Sequence, residues 1–150
     1  MTDEFFMRRA IDLAKLAAAE GETPVGAVVV RRGEIVGEGR NRRELGKNAL
    51  YHAEIEAIHN ACRVLSSWRL LECELFVTLE PCAMCAGAVR EARINNLYFG
   101  AYDPKTGACG SIVDVLKADR LTHNVTVHPG ILAEECSVIL KEFFKGLRGK

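Results

Sequence analysis

From residue 50 onward the chain alternates helix and strand signals, and this alternation constrains its fold more than any other feature. Residues 52–65 place Ile55, Ile58, Cys62 and Leu65 at helical spacing, one face of an amphipathic helix. Residues 75–79 are a short apolar run of strand length. Pro81 opens a second helix running to about Arg90, since proline in a first turn lacks only an N–H that had no partner. A strand over 97–101 leads to a loop over 102–111, marked by Asp103-Pro104 and two glycines. A short helix over 112–116 and a last strand over 125–127 follow. A closing helix over 132–147 turns Cys136, Ile139, Leu140, Phe143 and Phe144 inward. Upstream, Phe6, Ala10, Leu13, Ala14 and Ala17 define a helix over 3–19, capped by Thr2 and stopped by Gly21. Runs at 25–30 and 34–40 flank Arg32-Gly33 and read as a hairpin. Five strands interleaved with helices predict an α/β fold, a three-layer αβα sandwich with helices on both faces of a five-stranded mixed sheet. At 150 residues, with no repeat or linker, the chain reads as a single domain, 1–150.

Lys plus Arg and Asp plus Glu each number 20, so the formal charge is zero. That balance excludes a strongly basic nucleic-acid binder, and any phosphate contact must come from a local patch. No apolar run approaches the roughly 18 residues of a membrane span. The acidic start, Met1-Thr2-Asp3-Glu4, lacks the basic and apolar regions of a signal peptide. The protein is therefore expected to be soluble and cytoplasmic, with no membrane partner. Six cysteines then suit thiols or metal ligands better than a disulfide framework.

Two motifs carry chemistry: His52-Ala53-Glu54, and thirty positions after His52, Pro81-Cys82-Ala83-Met84-Cys85. Two thiols at i and i+3 share a helix face. At a helix N-terminus the dipole and the free N–H groups favour thiolate, the form that binds zinc. Taken alone, the cysteine pair fits a redox couple or packed thiols as well as it fits zinc. The histidine changes the balance. Positions i and i+2 of a helix point about 200° apart, so His52 and Glu54 cannot both ligate a metal at the side of their helix. They can converge on a site beyond its N-terminus, His52 as ligand and Glu54 close but unbound. His52, Cys82 and Cys85 then leave one position of a single zinc ion open, which marks a catalytic rather than a structural site. Glu54 is placed to take a proton from a water and return it to a leaving group. Cys62, Cys73, Cys109, Cys136, His59, His123 and His128 repeat no ligand spacing and read as core thiols or surface imidazoles.

The pair H-x-E and P-C-x-x-C resembles the signature of zinc nucleobase deaminases, in which the Glu stays outside the metal shell. Flanking blocks resemble the bacterial tRNA adenosine deaminases over nearly the whole chain. They include Pro24-Val25-Gly26-Ala27-Val28, Gly39-Arg40-Asn41-Arg42, Val77-Thr78-Leu79-Glu80-Pro81-Cys82 and Asp103-Pro104-Lys105-Thr106-Gly107. The resemblance implies a cytidine-deaminase-like sandwich, one zinc ion per chain and a homodimer. It implies a substrate adenosine at the wobble position of tRNA, extruded from the anticodon loop and hydrolysed at C6 to inosine, with Glu54 moving the protons. Asn41 matches the family's base-pocket asparagine. Val25, Ala53 and Pro81 fall among its pocket residues, and the backbone at Ala53 and Cys82 would help hold the base. Asp103 and Lys105 would touch the anticodon loop, and Phe144 and Arg148 would add tRNA contact from the last helix.

One position departs from the family. Tyr51 precedes the metal histidine where a small residue is usual. A phenol there can fill part of the pocket, stack on a base, or face away. Three alternatives therefore stand beside tRNA editing: a zinc deaminase of a free base or nucleoside such as guanine or cytosine, a non-catalytic zinc-binding module, and a C-x-x-C redox protein. The intact Glu54 counts against the module, and a redox protein leaves His52 and Glu54 without a role.

Overall fold

The computed structural model describes residues 2–117 and 123–148. Helix α1 (Asp3–Ala19) begins on Thr2, whose hydroxyl accepts the Phe5 N–H at 3.2 Å, and Asp3 and Glu4 occupy its first turn. Gly21, at φ +82°, turns the chain away from the helix. Strands β1 (Gly26–Arg31) and β2 (Glu34–Arg40) form the expected antiparallel hairpin. Arg32 and Gly33 take positive φ at its two-residue turn, the conformation a tight hairpin requires. Then come α2 (Ala53–Leu65), β3 (Cys73–Leu79), α3 (Ala83–Glu91), β4 (Asn96–Ala101), β5 (Thr126–His128) and α4 (Ala133–Arg148).

The sheet order is β2-β1-β3-β4-β5. β1 pairs antiparallel with both β2 and β3, whereas β3–β4 and β4–β5 are parallel. Each parallel step needs a crossover, and α3 supplies the one between β3 and β4. One core lies between the sheet and α2 and α3; Val29, Leu75, Val77, Leu97 and Phe99 are buried there. The other lies under α1 and α4, around Val28, Val30, Phe76 and Tyr98. The αβα sandwich is therefore as expected. No helix among the described residues is long and apolar enough to cross a membrane.

The structure corrects three local expectations. The 112–116 helix is only a 3-10 turn, Val115–Lys117. Before it, Cys109 and Asp114 form an isolated bridge, and the Asp114 carboxylate accepts the Leu116 N–H. Pro81 lies outside α3, because Cys82 is the extended N-cap and the helix starts at Ala83. Phe144 does not face inward; it is 42% exposed, edge-on to Phe143.

A further difference sets the site. Of the expected inward stripe of α2, Ile58, Cys62 and Leu65 pack against the core from its flank, whereas Ile55 does not; the middle of the contact is made by alanines. Ala53, Ala57 and Ala61 are all fully buried, and Ile55 and Ile58 are half-buried. The reason lies across the contact in β2. A Cβ at Gly39 would fall 2.6 Å from the Ala57 nitrogen, and one at Gly37 would fall 2.7 Å from that of Ala61. Two glycines facing three alanines let the helix backbone lie directly on the edge strand. This close seating fixes where α2 begins, and so where His52 and Glu54 stand.

Candidate active site

His52 is the N-cap of α2 and Cys82 the N-cap of α3, both in extended conformation. Neither side chain caps its own helix by a hydrogen bond. The first amides of each helix, up to Ile55 and Cys85, precede the first intrahelical bonds, Glu56 N–H to His52 and Ala86 N–H to Cys82. Two helix N-termini, with free N–H groups and positive dipole ends, thus meet at one place.

There His52 Nδ1 lies 3.7 Å from Cys82 Sγ and 3.5 Å from Cys85 Sγ. The three donor atoms all lie within 4.8 Å of one another. A tetrahedral zinc bonded to nitrogen and sulfur at its usual distances separates them by about 3.6 Å. Both measured edges match that spacing, so the donor set fits zinc in chemistry and in geometry. The electrostatics agree. The Cys85 S–H, with help from the His52 ring, holds the Cys82 thiol down to about 4. The neighbouring Cys82 sulfur, together with burial, pushes Cys85 up. The Cys82 sulfur also raises the imidazole above its ordinary value. Three groups that share protons in this way are groups a dication can bind by displacing them.

Glu54, the second residue of α2, is 4% exposed. Burial pushes its carboxyl up to about 7, and it faces the Cys85 sulfur. It lines a cavity of about 180 Å³ together with Thr23, Val25, Asn41, Arg43, His52, Ala53, Leu79, Glu80, Cys82, Asp103 and Thr106. That volume is below the roughly 300 Å³ at which pockets for drug-sized ligands begin, and suits one planar heterocycle.

The substrate residues expected from the sequence divide accordingly. Val25, Asn41, Ala53 and Asp103 line the cavity. Asn41 spends part of its amide on its own loop, donating to the Thr23 carbonyl at 3.2 Å and accepting the Arg43 N–H at 3.1 Å. Asp103 accepts the N–H groups of Lys105 and Thr106 and the Thr106 hydroxyl, so it shapes a turn and leaves Lys105 exposed at the tip. Pro81 is buried behind the wall and does not line it. Tyr51 faces away. Its ring lies over Gly46, where a Cβ would come 2.5 Å from Cε2, and borders a separate groove with Arg42, Ile55 and His59. Phe144 is on α4, under the opposite face of the sheet, and the Arg148 side chain lies outside the described residues.

Sequence reasoning missed Thr23, Arg43, Leu79 and two buried carboxylates. Glu22 accepts the N–H groups of Glu44 and Leu45 at 3.1 and 2.7 Å and so pins the loop that carries Arg43. Glu80 does the same for the loop that carries Asp103. Glu22 falls beside a recognised block and Glu80 within one, but nothing in a linear spacing says which distant amides they reach.

Fold and site together define a protein of the nucleobase deaminase class, with two helix N-termini bringing His-x-Glu and Cys-x-x-Cys together beside a mixed sheet, in a donor set able to hold a metal ion. The MafB19-like deaminase family model matches residues 1–148. A tRNA-specific adenosine deaminase of Bacillus subtilis is 46% identical over 148 residues, 99% of this chain and 92% of the relative. One from Rickettsia bellii is 43% identical over 144 residues, covering 95% and 99%. Among solved structures, one from work on A-to-I editing by tRNA:A34 deaminases superposes with a TM-score of 0.87 at 40% identity, covering 91% of this chain and 99% of that one. A guanine deaminase from Nitrosomonas europaea superposes at 0.83 and 26% identity, covering 95% and 84%. The chain belongs to the deaminase family of these tRNA-specific adenosine deaminases.

Proposed function

We propose that the protein hydrolyses adenosine to inosine at the wobble position of a tRNA, with one zinc ion per chain held by His52, Cys82 and Cys85. The observation that carries the reading is the convergence of those three donors beside the buried carboxyl of Glu54, on a cavity the size of one base. Zinc bound there would polarise a water and bring its pKa towards about 7. Glu54, whose carboxyl titrates near neutrality, would take one proton of that water to the ring nitrogen and then the second to the departing amine, which leaves as ammonia. Asn41 and Val25 would hold the base edge and face. The free N–H groups of Ala53 and its neighbours would favour the negative charge carried by the oxygen that adds to the reacting carbon.

The neutral chain also has a local basis for RNA contact. Arg43, with no ion-pair partner among the described residues, lines one side of the cavity, and Lys105 stands exposed on the loop opposite. These would meet the phosphates of the anticodon arm. Phe144, exposed on α4, would add contact away from the cavity. A cytoplasmic homodimer completes the reading, supported by the apolar side chains Tyr102, Ile112 and Val113, each more than half exposed on one loop.

The test is to incubate the zinc-loaded protein with an arginine tRNA anticodon stem-loop and with free guanine, cytosine and adenine, measuring inosine and ammonia. Inosine in the stem-loop is expected. Ammonia from a free base with no inosine in the stem-loop would replace this reading with a free-base deaminase, the activity of the Nitrosomonas neighbour.

A further inference from the structure

Glu80 precedes the Pro81-Cys82 turn and is 2% exposed. Its Oε1 accepts the Asp103 N–H at 3.0 Å and the Ser111 hydroxyl. Its Oε2 accepts the N–H groups of Cys109 and Ser111, both at 3.0 Å. Backbone bonds of 2.8 Å flank this anchor, from Glu80 N–H to the Ala101 carbonyl and from Ala108 N–H to the Pro81 carbonyl. Gly107 makes the approach possible, because a Cβ there would lie 2.5 Å from both Glu80 Oε1 and the Asp103 carbonyl oxygen. One carboxylate therefore gathers both ends of the 103–111 loop onto the segment that presents Cys82. The loop tip is internally fixed by Asp103, Lys105 and Thr106. Its placement relative to the metal edge is set at Glu80.

We infer that Glu80 is a positioning residue, which sets the distance between the Asp103–Thr106 wall of the base pocket and the Cys82 edge of the metal site. The inference rests on the deaminase reading above for its kinetic consequence, but not for its structural one. A buried carboxylate accepting amides at both ends of a loop holds that loop against thermal opening, and a wall held in register costs the substrate less to engage.

Glu80→Gln tests this selectively. The new NH2 at the Oε2 position would face two N–H donors. At the Oε1 position it faces one N–H and a hydroxyl that can reverse and accept. Glutamine therefore keeps the Cys109 and Ser111 amides and releases that of Asp103. Amide hydrogen exchange should show Asp103 protected in the wild type and exchanging at least about tenfold faster in the variant, with Cys109 and Ser111 still protected. With the stem-loop, KM should rise about tenfold while kcat stays within about threefold and zinc remains one per chain, the pattern of lost uniform binding. Gly107→Ala pushes on the same carboxylate from the other side and should give the same split. Fast exchange at Asp103 in the wild type, or equal protection in the folded variant, overturns the inference. So does an unmoved KM in zinc-loaded Glu80→Gln, or a defect confined to kcat through lost zinc. If the wild type produces no inosine at all, the proposed function fails, and the exchange pattern alone decides whether Glu80 is the anchor.

Discussion

Gly39→Ala is the smallest change that should reach the metal site from outside it. The new Cβ would stand 2.6 Å from the Ala57 nitrogen and 2.9 Å from Glu56 Cβ, against the 3.4 Å at which ordinary contact begins. The shortfall at the nitrogen, 3.4 less 2.6, is 0.8 Å, and it falls on helix backbone rather than on a side chain that can rotate away. β2 cannot yield in turn, because Gly39 is paired with Ala27 of the buried strand β1. α2 must therefore withdraw from the sheet, and its first turn withdraws with it. Overpacking of this kind costs about 1–3 kcal/mol. For a chain of this length that is a fall in Tm of roughly 2–4 °C per kcal/mol. The functional loss should be larger in proportion. His52 belongs to α2 whereas Cys82 and Cys85 belong to α3, so a shift of nearly 1 Å opens the edges of 3.5 and 3.7 Å that match a zinc chelate. Misplacement by about 1 Å costs on the order of 10²-fold in rate. The control is Gly33→Ala, where φ is +79° and nothing lies within 4 Å of the new Cβ. That variant should lose about 1–2 kcal/mol through backbone strain alone, with zinc content and kcat/KM unchanged. Thermal unfolding, metal analysis and stem-loop kinetics on the two variants separate destabilisation from displacement. If Gly39→Ala keeps full zinc and wild-type kcat/KM, then the glycine–alanine seating does not position the site.

Other variants probe the remaining parts. Glu54→Ala should retain one zinc per chain by metal analysis and lose on the order of 10²–10⁴-fold in kcat, the usual contribution of a positioned proton carrier. Cys82→Ala should lose zinc on dialysis, and retention of one ion per chain would remove Cys82 from the ligand set. Glu22→Ala leaves the Glu44 and Leu45 amides without an acceptor. It should cost about 1–3 kcal/mol in denaturant unfolding, with a raised KM because Asn41 and Arg43 ride on that loop. Tyr51→Ala should leave the ratio of stem-loop to free-base turnover within about threefold of wild type, because its ring packs on Gly46 outside the cavity; a larger change would put the phenol back in the pocket.

What the sequence disclosed follows the range of the physics. Thr2 before an acidic turn, Arg32-Gly33 between two β-rich runs, and a histidine and two cysteines at helix starts all act on neighbours a few residues away. Each could be read in place, and each stands where the linear pattern put it. The face of α2 could not. Its larger apolar residues mark Ile55, Ile58, Cys62 and Leu65 as the inward stripe; Ile58, Cys62 and Leu65 do pack on the core, but at its flank, and Ile55 does not. What centres the helix on alanine instead is the absence of side chains at Gly37 and Gly39 on another strand, which lets the backbone at Ala57 and Ala61 come into direct contact with that strand. The same limit hid Glu22 and Glu80. An isolated Glu in a sequence is ordinarily a solvated charge. Only the return of the 41–48 and 102–111 loops makes these two buried acceptors, with every donor they use more than twenty residues away. It also changes the meaning of Tyr51. Judged by adjacency to His52, a phenol there threatens the base pocket. Judged by the extended N-cap that follows it, successive side chains point to opposite sides, and the residue before a ligand is the one turned away from the metal. The substrate question therefore passes from Tyr51 to the two loops that the buried carboxylates hold.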